Sequence, residues 1–390
     1  MNNRKLSVCV LAPALLPIPA VKGGAVEQLI ETLVKENEKY KNLNLVIYSV
    51  FDVNAQHISK KYKETNFKFV KLPINEKLYD KLYILFLMNV FIKLIGKHFD
   101  IILLEGGDYR IYSSLIYMFR KSLFVGHIHN IDYINKNIFG KCGNIICVSD
   151  AVKEKVLKNA KSNQLQVKRV YNGIEIEQYN EITKEKYKYR NKLELAKDEK
   201  IILFVGRLIK EKGVKELITA FQMIDNIKNY KLFIAGSSNF TDPNITNYED
   251  KLFKMSKKSG DRIIFLGNME SSKLKYYYAS ADLVVIPSIW EEAFGLVTVE
   301  AMASGQAVIV TDSGALPEIV DNECGVVISK RKDMVINLKN EIKNLLENDE
   351  KRYKMGVAAK TCSQKFSSKK YYENMVSALT EFYTDKISEH

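Results

Sequence analysis

The chain is poor in the residues that punctuate or staple a fold. Its 390 residues include only 7 prolines, 1 tryptophan and 5 cysteines. The cysteines (Cys9, Cys142, Cys147, Cys324 and Cys362) show neither a Cys-x-x-Cys pair nor the spacing of a zinc site. A disulfide-stapled secreted scaffold is therefore excluded, and the thiols read as buried side chains of a reducing compartment. Long apolar runs are missing too. The most apolar stretch, Leu82 to Ile95, is too short to span a bilayer and is interrupted by Asn89 and Lys93. Lys5 leads directly into a strand-like segment, so no signal peptide is expected and the expected location is cytoplasmic. The sequons at Asn239 and Asn244 mean little in that setting. Short repeats and low-complexity tracts are absent.

Acidic residues are scarce relative to basic ones, and the net charge is +13. The imbalance sits in the first half. Residues 1–180 carry 26 Lys+Arg against 16 Asp+Glu, and the remainder 33 against 30. A basic half of this kind is a solvated lysine-rich surface, or it faces an anionic membrane or a phosphorylated lipid acceptor at the inner face of the plasma membrane. No zinc finger, RNP-like aromatic motif or basic helix supports nucleic acid as the partner.

Strand-like apolar runs alternate with helix-like periodic segments throughout. The expected strands of the first half are Leu6–Ala12, Leu45–Val50, Phe67–Leu72, Asp100–Leu104, Leu123–Ile128, Asn144–Val148 and Val167–Tyr171. Ser149 is a good N-cap for a helix from Ala151. A Lys/Glu/Tyr-rich stretch, Glu175 to Lys200, reads as the domain boundary. The pattern restarts with strands at Ile201–Val205, Lys231–Ala235, Arg262–Leu266, Leu283–Ile286, Ala307–Val310 and Gly325–Ile328. Such alternation predicts an α/β chain of two Rossmann-like, doubly wound domains, with ligands at the C-terminal ends of the strands. The expected division is 1–180, 181–368, and a final helix over 369–390 that crosses back to the first domain.

The segment from Glu292 to Gly305 holds two carboxylates, Glu292 and Glu300, eight positions apart with Phe294-Gly295 between them. The first lies in a loop and the second in an apolar, helix-forming run. Two helical turns separate them by about 12 Å, close to the span from sugar to ribose in a nucleotide sugar. The helix start between them favours a phosphate. Upstream, Gly206-Arg207-Leu208 and Lys212-Gly213 follow the first strand of the second half. Two cations five positions apart at a strand end can hold a diphosphate and stabilise its charge as it leaves.

These motifs, together with Gly267, Tyr278-Ala279, Ala281-Asp282, Pro287-Ser288, Gly314, Pro317-Glu318 and Gly325, resemble those of the family 4 retaining glycosyltransferases. The resemblance covers nearly the whole second half and implies the GT-B fold, two Rossmann-like domains facing across a cleft. It implies that Arg207 and Lys212 neutralise the donor diphosphate. Glu292 would sit near the donor sugar, and Glu300 would grip the ribose hydroxyls. Gly206, Gly236, Gly267, Phe294, Gly295 and Leu296 would line the donor site.

In the first half, Gly23-Gly24 resembles the family's glycine loop. His129 matches a histidine that reaches the donor sugar or the acceptor, with His127 as its competitor. Two departures stand out, Ser238 and Ser313, where the family often has glycines. The resemblance further implies retention at the anomeric carbon. The absence of an Asp-x-Asp triplet predicts transfer with no metal and no cofactor. UDP is the default base, and surface polysaccharide assembly the default pathway, with a glycan or lipid-linked acceptor. The loop Val21-Lys22-Gly23-Gly24-Ala25 also resembles glycosyltransferase-like spore-coat proteins, which keeps a non-catalytic reading open. The helix expected at Leu78–Ile95 is apolar on more than one face, as in a buried core or a membrane-surface helix.

Overall fold

The structure, a computed structural model, describes residues 4–13, 15–72, 79–106, 113–131, 142–160, 165–196, 198–224, 229–238 and 245–388. The chain divides into two compact units, Met1–Gly173 with Ser368–His390, and Ile174–Ser367. The first boundary thus follows the Asn172-Gly173 turn rather than position 180.

The first unit contains seven parallel strands: β1 (Leu6–Leu11), β2 (Leu43–Val50), β3 (Thr65–Val70), β4 (Ile101–Glu105), β5 (Leu123–Ile128), β6 (Asn144–Cys147) and β7 (Gln166–Arg169). Their order is β3-β2-β1-β4-β5-β6-β7. β4 and β5 are buried along their whole length, as expected for parallel strands covered on both faces. The helix Ala25–Tyr40 turns Leu29, Ile30, Leu33 and Val34 onto the sheet. Ser149 caps the helix Asp150–Asn159 by accepting the Val152 N–H at 3.1 Å. The final helix, Ser368–Ser388, buries Tyr371, Tyr372, Met375, Leu379 and Phe382 in the same core. The Tyr372 hydroxyl donates to Asn37 at 2.7 Å and fixes its register.

The second unit contains β8 (Lys200–Val205), β9 (Tyr230–Ala235), β10 (Ile263–Gly267), β11 (Leu283–Ile286), β12 (Ala307–Thr311) and β13 (Val326–Ile328), all parallel, in the order β10-β9-β8-β11-β12-β13. Each sheet reverses its strand order beside its first strand, between β1 and β4 and between β8 and β11. That reversal opens the crevice where doubly wound sheets bind ligands.

The stretch read as the domain boundary carries two helices, Ile176–Thr183 and Lys186–Lys192. Its polar composition conceals two anchors. Ile176 and Tyr179 are buried, and Arg190 is buried while donating to the Ser280 carbonyl (2.9 Å) and to Asp282 (3.1 Å). Lys186 adds a second ion pair to Asp282 at 3.2 Å.

The apolar helix runs over Tyr79–Leu94; position 78 lies outside the described residues, as do 239–241 and Asn244 of the sequons. One face buries Phe86, Leu87, Val90 and Leu94, whereas Ile84, Leu85, Met88 and Ile92 stand exposed on the other. Among the described residues no helix is long and apolar enough to cross a membrane.

Candidate functional site

The loops after β8, β9 and β10 meet at the C-terminal edge of the second sheet. The Gly206 N–H donates to Ala235 at 3.0 Å, and the Gly236 N–H to Gly267 at 2.8 Å. Leaving β8, the chain exposes Arg207, buries Leu208 and makes one tight turn, Lys210–Lys212, before the helix Val214–Gln222. Among the described residues Arg207 has no hydrogen-bond or ion-pair partner. It is a free cation at a strand end.

The turn is tied to the loop after β11, because the Glu211 carbonyl accepts the N–H groups of Ile289 (2.8 Å) and Trp290 (3.2 Å). That link brings Lys212 Nζ to 2.5 Å from Glu292 Oε1, and the Ser288 hydroxyl donates to the same oxygen. The backbone of Glu292 is fixed as well. Its carbonyl accepts the Ala315 N–H at 2.9 Å. Gly314 packs so closely on it that a Cβ there would lie 2.1 Å from the Glu292 oxygen. Glu291 accepts the Gly314 N–H at 2.7 Å and pairs with Lys330 at 2.6 Å. The two cations expected to share one role therefore differ: Arg207 is unengaged, and Lys212 is paired with a carboxylate that an incoming anion would have to displace.

Gly295 caps the helix Leu296–Ala303, and Phe294 packs edge-on against Phe366, with ring centroids 5.6 Å apart. The Phe294 ring thus belongs to the core. Glu300 lies one turn into that helix, where the Tyr278 hydroxyl donates to Oε2 at 2.8 Å. Burial pushes its carboxyl up to about 7, even though hydrogen bonds from Tyr278 and Tyr179 favour the ionised form. Glu300 is therefore no ordinary surface carboxylate. It is a strained acceptor, which new hydroxyl donors would relieve.

In the first unit, Gly24 caps the helix Ala25–Tyr40, with Gly23 just before it. Glu27, in the first turn, is buried, and burial, reinforced by the nearby Glu105 charge, raises its carboxyl. His127 lies within β5 and is fully buried; His129, just past the strand end, keeps 10% of its side chain exposed. Both imidazoles face one oxygen of Glu105. Oε2 lies 3.0 Å from His127 Nδ1 and 2.6 Å from His129 Nε2. Burial alone would raise the Glu105 carboxyl, but the two imidazoles together hold it down at about 2. His129 titrates below the usual histidine range, through burial and then the neighbouring His127.

Glu105 and Tyr179 were not foreseen from sequence. Glu105 had a legible signal, a lone carboxylate closing the apolar run Ile101–Leu104. Tyr179 had none, since it lies in the polar stretch.

Among the described residues two clusters bring three possible metal ligands within 4.8 Å, Glu105 with His127 and His129, and Asp321 with Cys324 and Cys362. In the first, the facing imidazole nitrogens are already engaged by the carboxylate. The second shows that Cys324 and Cys362, distant in sequence, are neighbours. Cys362 is only partly buried, unlike the other four cysteines.

Residues 185–361 match the family of glycosyl transferases group 1. The second unit is a group 1 glycosyl transferase domain. The uncharacterized glycosyltransferase MJ1607 of Methanocaldococcus jannaschii is 38% identical over 198 residues, which are 50% of this chain and 48% of that protein. The chain thus spans about half the length of that relative. Spore coat protein SA of Bacillus subtilis is 24% identical over 391 residues, covering 95% of this chain and 98% of that one. Among solved structures, Anabaena HepE in complex with UDP-glucose superposes with a TM-score of 0.75 at 19% identity, covering 96% of this chain and 100% of that one. At that identity the likeness is one of fold, and the two parallel-sheet units have the GT-B fold.

Proposed function

We propose that this group 1 glycosyltransferase moves a hexose or N-acetylhexosamine from a UDP-sugar to a glycan or lipid-linked acceptor, with retention and without a metal ion. The observation that carries the reading is the second unit's edge. There a free Arg207 and a Glu292-paired Lys212 lie beside the cap of a helix that bears an under-stabilised Glu300. A diphosphate would take Lys212 from Glu292 and lie against Arg207, so both cations would stabilise the departing UDP. Released from Lys212, Glu292 would accept hydroxyls of the donor sugar, while Glu300 would accept those of the ribose. His129 would meet the donor sugar or the acceptor. Front-face attack, with the leaving phosphate helping to deprotonate the acceptor, accounts for retention. A paired-carboxylate hydrolase is disfavoured, because Glu292 and Glu300 stand on separate elements with different partners and different tasks.

The acceptor class follows from the family resemblance and from the first unit's surface. Ile84, Leu85, Met88 and Ile92 are exposed beside Lys93 and Lys97, as on a helix that rests on an anionic leaflet. Surface polysaccharide assembly, whose acceptors are carried on membrane lipids, suits this arrangement. The test of the donor reading is UDP release from UDP-glucose and UDP-N-acetylglucosamine by the purified chain, with a thermal-shift screen of UDP, GDP and ADP. Failure of all three nucleotides to stabilise the chain, with no UDP release, would favour a second reading. That reading is a non-catalytic envelope or coat protein, and the full-length match to a spore coat protein supports it.

A further inference from the structure

We infer that Glu105 is the positioning residue for His129, and that His129 turns Nδ1, rather than Nε2, toward the substrate. The inference rests on the reading of His129 given above. β4 and β5 run in parallel with Glu105 opposite His127, so the carboxylate projects from the last residue of β4 to the point where β5 ends. It is fully buried, and its only ion-pair partners among the described residues are the two histidines.

An ionised carboxylate can only accept hydrogen bonds. Each imidazole nitrogen facing Oε2 must therefore carry a proton, which places one on His127 Nδ1 and one on His129 Nε2. A neutral His129 then keeps its lone pair on Nδ1, and Nδ1 has no partner among the described residues. That nitrogen can accept a hydroxyl proton of the sugar or acceptor, and its direction is set by the 2.6 Å bond on the other side of the ring.

A role in stability alone does not explain the arrangement. Oε1 of Glu105 is buried with no hydrogen-bond partner among the described residues, and an unsatisfied acceptor beside a buried charge costs more than an apolar trio of similar volume. Burial raises the Glu27 carboxyl and the Tyr371 phenol, and the Glu105 charge adds to both. Fixing the tautomer of the one histidine at the strand end is what this costly group accomplishes.

The decisive measurement is the nitrogen chemical shift of each imidazole in the full-length, histidine-labelled chain near neutral pH, with His129→Gln identifying the His129 signals. A protonated Nε2 and an unprotonated Nδ1 on His129 are expected. Glu105→Gln should mix the two tautomers and lower kcat for UDP-glucose hydrolysis about tenfold, the loss of one aligned hydrogen bond, with KM nearly unchanged. A wild-type His129 protonated on Nδ1, or a tautomer unmoved in the Glu105→Gln chain, overturns the inference. If the variant does not fold, the wild-type spectrum still decides. A wild type with the expected tautomer but no UDP release would leave Glu105 as the positioning group and refute the UDP-glucose reading instead.

Discussion

Replacing Glu300 with glutamine should stabilise the folded chain at alkaline pH while weakening its hold on UDP. Burial takes this carboxyl from 4.5 to about 7. Between those values the folded chain keeps a proton that the unfolded chain has already released. Stability from this group is therefore fully present below about pH 4.5 and is lost as the pH rises through about 7. At 1.36 kcal/mol per pH unit, the loss amounts to about 3 kcal/mol once Glu300 is ionised in the fold. Glutamine has nearly the same shape, and its carbonyl can still accept from Tyr278, so it avoids that loss. At pH 5 the variant should be more stable by only about 0.8 kcal/mol, and at pH 8 by about 3 kcal/mol. For a unit of this size the shift in midpoint is about 6 to 12 °C. The assay is thermal or urea unfolding of both chains at the two pH values, without ligand and then with UDP. In wild type UDP should narrow the gap, because ribose hydroxyls would donate to the ionised carboxylate; in the variant UDP should stabilise less. Equal stabilities at pH 8, or a smaller difference between the two chains there than at pH 5, would refute the account of Glu300 as a strained acceptor.

Other perturbations separate the remaining roles. Gly314→Ala places a methyl 2.1 Å from the Glu292 carbonyl oxygen at a residue with φ of 54°, so it should cost about 1–3 kcal/mol in urea unfolding and sharply reduce UDP release. Arg207→Ala removes an exposed, unengaged side chain, so stability should stay within about 0.5 kcal/mol while UDP affinity falls at least tenfold by calorimetry. EDTA should leave UDP release unchanged, and a requirement for added Mg²⁺ would end the metal-free reading. Vesicles containing anionic lipid should float the chain at low salt, and Ile92→Glu with Met88→Glu should abolish flotation without changing UDP binding.

The fold was legible because parallel strands buried on both faces, such as β4 and β5, are near-continuous apolar runs set between turn residues. What escaped is where polar composition hides a tertiary contact. The helix Lys186–Lys192 is held by Lys186 and Arg190 on Asp282, and the helix Ile176–Thr183 by the buried Ile176 and Tyr179; an ion pair to an aspartate far along the chain gives no periodic signal. The site was legible in its identities and not in its pairings. Arg207, Lys212, Glu292 and Glu300 could be named, but the bond between Lys212 and Glu292 depends on Glu211 receiving the loop after β11. Likewise Glu105 closes an apolar strand in plain view, yet its meaning comes only from the parallel register that sets it opposite His127.

The two serines that depart from the glycine pattern show how the loops tolerate change. At Ser238 and Ser313, where the family often has glycines, the tight contacts within the protein fall on the neighbouring glycines. A Cβ at Gly236 would lie 1.9 Å from the Gly206 oxygen, and one at Gly314 would meet the backbone of Glu292. The serines sit where a side chain fits and use it to tie loops together. Ser238 is buried, donates to the Leu208 carbonyl at 2.6 Å and gives its N–H to Glu249 at 2.7 Å. Ser313 is buried too, and its hydroxyl donates to the Trp290 carbonyl. Each hydroxyl thus fastens a loop that carries a candidate ligand group, Arg207 in one case and Glu292 in the other. Glycine at either serine position would free the loop rather than bring it closer. Ser238→Gly should therefore loosen the Arg207 loop and weaken UDP binding without relieving any clash. Tighter UDP binding by that variant would mean that backbone approach at Ser238, not loop fastening, limits the site.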